Sequence, residues 1–107
     1  ILRTQPNAVP VIANLAWALA TDLDGSLRNG PEAVALAERV CQITGRDNPR
    51  FLDLLAAAYA EAGRFPEAVR TAQEAIALAQ RLNDEQLSWQ LQSRLSLYQS
   101  GQPHRSN

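Results

Sequence analysis

The chain has 107 residues with a formal net charge of −1, and 46% of them are hydrophobic but only 6% aromatic. This length suits one small domain with a modest core, and the near-neutral charge creates no overall field toward nucleic acid or an acidic membrane surface. The single cysteine, Cys41, excludes an internal disulfide and leaves the compartment open, with the cytoplasm as the preferred location.

No apolar run reaches the ~18 residues of a membrane span, and the N-terminus lacks the pattern of a secretory signal peptide. We therefore expect no membrane contact from this segment. The sequence starts at Ile1 and contains no methionine, which indicates a segment of a longer protein. Residues 1–8 are assigned to a lead-in before the first helix.

A first helical hairpin is predicted over residues 9–48. In its first helix Leu15, Ala16 and Leu19 have helical spacing, and its second helix opens with the residues "PEAV" from Pro31. A proline in the first turn and a glutamate near the N-terminus both favour a helix start. The extended loop "LDGSLRNG" separates the two helices, and its glycines and asparagine are typical of turns.

A second hairpin, predicted over residues 49–82, repeats this plan. Asn48 and Pro49 provide a cap and a first-turn proline, and Gly63 ends the first helix because glycine adopts the left-handed conformation without strain. A second copy of "PEAV" begins at Pro66, 35 residues after Pro31. A stripe of small residues follows in the second helix: Ala68, Ala72, Ala75 and Ala79.

A fifth helix is predicted over residues 83–100, with Asn83 as its cap. Its apolar stripe steps by four, four and three residues: Leu87, Leu91, Leu95 and Tyr98. A last helix with one apolar and one polar face suits the end of a repeat stack. Residues 101–107 are expected to be a frayed tail.

This pattern resembles that of the tetratricopeptide repeat (TPR) family, whose period is close to 34 residues. The matching positions in the second hairpin are Leu52, Leu55, Ala56, Tyr59, Gly63, Phe65, Ala68 and Ala75. Ala72 departs from the usual aromatic residue, and Gln80 stands where a closing proline is usual. The resemblance implies an all-α fold, a right-handed α-α superhelix of two TPR helical hairpins plus a C-terminal capping helix, at the C-terminal end of a TPR array.

In many TPR proteins the first helices of the hairpins line a concave groove that binds a peptide. Carried over position by position, the resemblance places nine residues on that face: Asn14, Trp17, Thr21, Arg50, Asp53, Ala57, Glu61, Trp89 and Gln92. Trp17 is the candidate anchor of this surface, since aromatic residues are frequent binding hot spots. Of the two interpretations of Trp17, we prefer the other, in which its side chain packs against an adjacent helix or an upstream repeat.

No catalytic constellation is recognisable, so the chain is predicted not to be an enzyme and to need no cofactor. His104 lies in the tail, and Cys41 lies among apolar residues with no histidine nearby in sequence. Asp22, Asp24 and Ser26 alternate like calcium ligands, but the loop lacks the glycine and glutamate positions of a calcium site. No metal site is therefore predicted.

The leading functional prediction is a protein-protein interaction module that binds a peptide or partner segment on the concave face. A second hypothesis is a structural end-cap of a longer array, or a homo-oligomer formed through an exposed N-terminal edge with Val9, Val11 and Ile12. A third is a non-catalytic appendage of a larger enzyme. In each case the expected partner is a protein and not a nucleic acid.

Overall fold

The computed structural model describes residues 9–21 and 29–103 of the chain. These residues form an all-α structure, and its helices are α1 (Val9–Thr21), α2 (Gly30–Thr44), α3 (Pro49–Glu61), α4 (Phe65–Arg81) and α5 (Glu85–Gln99). The predicted lead-in (residues 1–8), the loop with the alternating acids (22–28) and residues 104–107 of the predicted tail, with His104, lie outside the described residues.

Short polar side chains cap three of the helices. The Oδ1 atom of Asn29 accepts a hydrogen bond from the Glu32 amide at 3.2 Å, and that of Asn48 accepts from the Arg50 amide at 2.9 Å. At α5 the cap is Asp84, which accepts from the Leu87 amide at 3.1 Å. The prediction that Asn83 caps α5 was wrong by one residue.

The turns that follow the helices contain residues in the left-handed backbone conformation. Gly63 has a φ of 80°, which confirms the prediction that it ends α3 in this conformation. Asn83 has a φ of 61° and takes the same role after α4. Asparagine tolerates this conformation better than most residues, so the turn uses Asn83 and leaves the cap to its neighbour.

The helices pack in chain order, each against the next, and α1 also packs against α3. Alanine dominates the buried positions, and Ala16, Ala33 and Ala56 are completely inaccessible. Small side chains allow neighbouring helices to approach closely. One such close approach is at Gly30, where an added Cβ atom would lie 2.7 Å from the Ala62 backbone.

The two hairpins are not equally buried. Leu55 and Ala56 of α3 are both inaccessible, whereas of the corresponding pair in α1 only Ala16 is buried and Leu15 is 50% exposed. Within the described residues, α3 packs mainly against α1, α2 and α4, whereas α1 packs mainly against α2 and α3. A position that is core in the middle of a stack is therefore surface at its edge.

Candidate functional site

Three helices that are distant in sequence bring an aromatic ring, a carboxylate and a guanidinium together. Nη1 of Arg94 in α5 donates a hydrogen bond to Oδ2 of Asp53 in α3. The guanidinium carbon of Arg94 also lies 5.3 Å from the centroid of the Trp17 ring in α1. We call these residues the Trp17–Asp53–Arg94 cluster. It combines a charge-assisted hydrogen bond with a cation–π contact.

The cluster lies at the edge of the core and not in open solvent. The side chains of Arg94 and Asp53 are 19% and 9% exposed, and Trp17 is half-buried against the core. Burial lowers the pKa of Arg94 below its ordinary value, and the nearby charge of Arg50 adds to this effect. Arginine nevertheless stays protonated at neutral pH, so the pair with Asp53 is ionic.

Two polar atoms close to Arg94 are buried without a hydrogen-bond partner among the described residues. One is Oδ1 of Asp53, the oxygen that Arg94 does not engage. The other is the hydroxyl of Tyr98, whose ring is buried against the alanines of α3 and α4. Burial raises the pKa of Tyr98 to about 12, against the opposing effect of the Arg94 charge. Such unsatisfied groups cost free energy in the folded state.

The predicted groove residues of α1 and α3 divide into accessible and inaccessible ones. Asn14 and Arg50 are exposed, and Glu61 is half-buried. Ala57 is 1% exposed, and Thr21 is completely buried, with its hydroxyl donating to the Trp17 carbonyl at 2.8 Å. A threonine in a helix commonly bonds the carbonyl four residues earlier in this way. The side chains of Thr21 and Ala57 therefore offer no surface to a ligand.

The predicted residues of α5 do not lie on the side of that helix that faces the Trp17–Asp53–Arg94 cluster. Trp89 precedes Arg94 by five residues, which is ~140° around a helix, and it is 70% exposed. Gln92 donates to Ser88 at 3.1 Å, and both line a cavity of about 470 Å³ beside Trp89 and Gln80 of α4. The prediction that Trp89 and Gln92 share a face with Trp17 was therefore wrong.

Arg94 is the member of the cluster that is absent from the predicted site residues. It follows Leu91 by three residues and precedes Tyr98 by four, so it belongs to the stripe of α5 that faces the core. That spacing could have identified it, because a charged residue inside an apolar stripe needs a partner when it is buried. The partner, Asp53, is 41 residues away in sequence.

A second concave region lies on the other side of α3, between α2 and α4. Two adjoining cavities of about 390 and 600 Å³ share Arg46 and Tyr59. Arg46 of the α2–α3 connection pairs with Glu74 of α4 at 2.6 Å, and the Tyr59 hydroxyl donates to Glu38 of α2 at 2.9 Å. These polar contacts tie α2, α3 and α4 together across the region.

Cys41 also lines this region, but its chemistry is that of a core residue. It is 1% exposed, and its thiol donates to the Phe51 carbonyl at 3.5 Å. Burial raises the pKa of Cys41 to about 11. The thiol is therefore protonated at neutral pH and is a weak nucleophile. Cys41 thus behaves as a buried small hydrophobic residue.

Within residues 9–21 and 29–103, no group of three or more histidine, cysteine, aspartate or glutamate side chains is arranged to hold a metal ion. The possible calcium ligands Asp22, Asp24 and Ser26 fall outside this part of the chain. In the same part, no helix is both long and apolar enough to cross a membrane.

Comparison with known families identifies the repeat. Residues 51–86 match the family model of the tetratricopeptide repeat, a range that covers nearly all of α3, the whole of α4 and the start of α5. Residues 51–86 therefore carry a tetratricopeptide repeat, and the described residues form an all-α helical repeat fold. Repeats of this family generally serve as protein-interaction modules. No curated protein and no solved structure gives a significant match to the chain.

Proposed function

We propose that the face formed by α1, α3 and α5 around the Trp17–Asp53–Arg94 cluster binds a peptide segment of a partner protein. The observation that carries this proposal is the convergence of the three side chains from three separate helices. The exposed side chain of Asn14 lies one turn before Trp17, and the exposed Arg50 is one turn before Asp53. A half-buried aromatic ring with polar groups around it is typical of a binding hot spot.

The test is a screen of short peptides followed by affinity measurements on two tryptophan variants. Trp17→Ala should weaken the binding of a selected peptide at least about tenfold, which is the usual loss at a hot spot. Trp89→Ala is the matched control, because it removes the other tryptophan, which lies on the side of α5 away from Arg94. We expect it to leave the affinity unchanged.

Circular dichroism and the melting temperature of both variants must first show that each is folded. Equal losses of affinity in Trp17→Ala and Trp89→Ala would contradict the proposed face. A loss confined to Trp89→Ala would move the binding surface to the exposed side of α5.

A second candidate function is self-association through α1. Val11 is 68% exposed and Leu15 is 50% exposed, and both are apolar residues at the first described helix. If this edge forms a homo-oligomer, light scattering should give more than the monomer mass, and Val11→Glu should restore the monomer. A wild-type chain that is monomeric at high concentration would rule this candidate out.

A further inference from the structure

Arg94 contacts Asp53 and Trp17 in the way that a bound arginine contacts a receptor. The carboxylate belongs to α3 and the ring to α1, whereas the guanidinium is supplied by the last helix. A carboxylate for ion pairing and a tryptophan face for cation–π contact are together the chemistry that selects arginine. We propose that Asp53 and Trp17 form a site for an arginine side chain of the partner, and that Arg94 occupies it in the free protein. This inference rests on the proposed function, since the partner must reach the same face.

The internal occupant does not use the whole site. Arg94 engages only Oδ2 of Asp53, and Oδ1 is buried without a hydrogen-bond partner within the described residues. An arginine that is not tethered to α5 can approach in the plane of the carboxylate and bond both oxygens, which is the preferred geometry of this pair. The exchange therefore satisfies an acceptor that the free protein leaves unpaired.

The exchange does not require α5 to leave the stack. Leu87, Leu91 and Tyr98 hold α5 through their own burial, and Tyr98 packs among alanines of α3 and α4. The Arg94 side chain is long and 19% exposed, so it can rotate into solvent while its helix stays docked. The charge that pairs with Asp53 is the same when a guanidinium of the partner replaces that of Arg94.

The test uses N-acetylarginine amide as the probe and the citrulline analogue, which has the same shape but no charge, as the control. All variants carry Trp89→Phe, so that Trp17 is the only tryptophan and its fluorescence reports the site. The Arg94→Ala chain should bind the arginine probe about tenfold more tightly than the chain that retains Arg94, if the site is vacant in about one molecule in ten. It should not bind the citrulline probe.

Adding Asp53→Asn to Arg94→Ala should abolish the response to arginine. Equal responses to arginine and citrulline, or binding that survives Asp53→Asn, would overturn the inference. If Arg94→Ala does not fold, the titration is repeated on the chain that retains Arg94. The NMR resonance of the Trp17 indole N–H then reports binding. There, arginine but not citrulline should shift the resonance. The absence of a shift up to the highest soluble concentration of arginine probe would also overturn the inference.

These outcomes are independent of the peptide screen. A site that binds the arginine probe in a chain that selects no peptide would overturn the proposed function alone. Peptides that bind through Trp17, with no response to the arginine probe, would overturn only the assignment of Asp53 and Trp17 as an arginine site.

Discussion

Two tyrosines, one on α3 and one on α5, show how much a single hydroxyl depends on its surroundings. Tyr59 in α3 donates its hydroxyl proton to Glu38, and the Arg64 guanidinium lies 4.7 Å from the centre of its ring. Tyr98 in α5 is almost completely buried, and its hydroxyl has no partner among the described residues. The first hydroxyl contributes to stability, whereas the second costs stability.

Replacement of each tyrosine by phenylalanine should therefore change stability in opposite directions. Tyr98→Phe removes an unsatisfied buried group without changing the shape of the ring, and we expect it to raise the free energy of unfolding by about 1 kcal/mol. Tyr59→Phe should lower it by about 1 kcal/mol, because the bond to Glu38 is lost. Urea denaturation of both variants measures the two values, and a destabilised Tyr98→Phe would show that its hydroxyl has a partner.

The residue scale also shows what the sequence could and could not indicate about the candidate site. The family resemblance implied a shared face for Trp17 and Asp53, and in the structure both residues contact Arg94. Arg94 itself was not among the predicted site residues, although it lies on the side of α5 that faces the core. A long side chain can reach a buried partner from the border of an apolar stripe, so residue type alone misjudged its position.

At the scale of the elements, glycines serve two different purposes. Gly63 follows α3 with a φ of 80° and has open space around its Cα atom. Gly30, the first residue of α2, needs no unusual conformation but lies against the backbone of Ala62 at the end of α3. The first glycine is required by conformation and the second by close packing.

Two substitutions distinguish these roles. Gly30→Ala would place a Cβ atom 2.7 Å from the Ala62 backbone, so α2 has to move away from α3. We expect this overpacking to lower the free energy of unfolding by about 1–3 kcal/mol. Gly63→Asn should cost less than about 1 kcal/mol, because asparagine accepts the left-handed conformation and Asn83 already does so after α4. Equal losses in thermal or urea unfolding would contradict this distinction.

At the scale of the whole molecule, stability depends on a core of small side chains. Ala56 of α3 is completely buried among Ala60, Ala68, Ala72 and Tyr98, at the junction of α3, α4 and α5. Alanine has little side-chain area to bury, so this core stabilises the fold through close approach of the helices over a long stack. An enlarged side chain at the junction therefore affects three helices together.

Ala56→Arg should unfold the chain at room temperature. The substitution forces a long charged group into a tight crossing, and the cost of overpacking and of an unpaired charge together approaches the ~5–15 kcal/mol stability of a typical domain. Ala77→Arg in α4 is the control, because Ala77 is exposed and should accept arginine with little change. Circular dichroism measures both, and an unchanged melting temperature for Ala56→Arg would contradict the packing described.

The sequence by itself determined the helices and the connections that the structure describes between them. Proline, asparagine and glycine act within one or two turns of their own position, so Asn48, Pro49 and Gly63 marked helix ends without any knowledge of the fold. The recurrence of "PEAV" in the same way indicated a repeated hairpin, since each copy opens a second helix.

Only the tertiary structure decided which faces of the helices meet. The helical period fixes which residues share a face, but the rotation of α5 is set by the burial of Leu87, Leu91 and Tyr98 against other helices. That rotation turns Trp89 outward and carries Arg94 to Asp53 and Trp17. The candidate site is therefore a product of packing between distant helices, because its three side chains become neighbours only when the stack has formed.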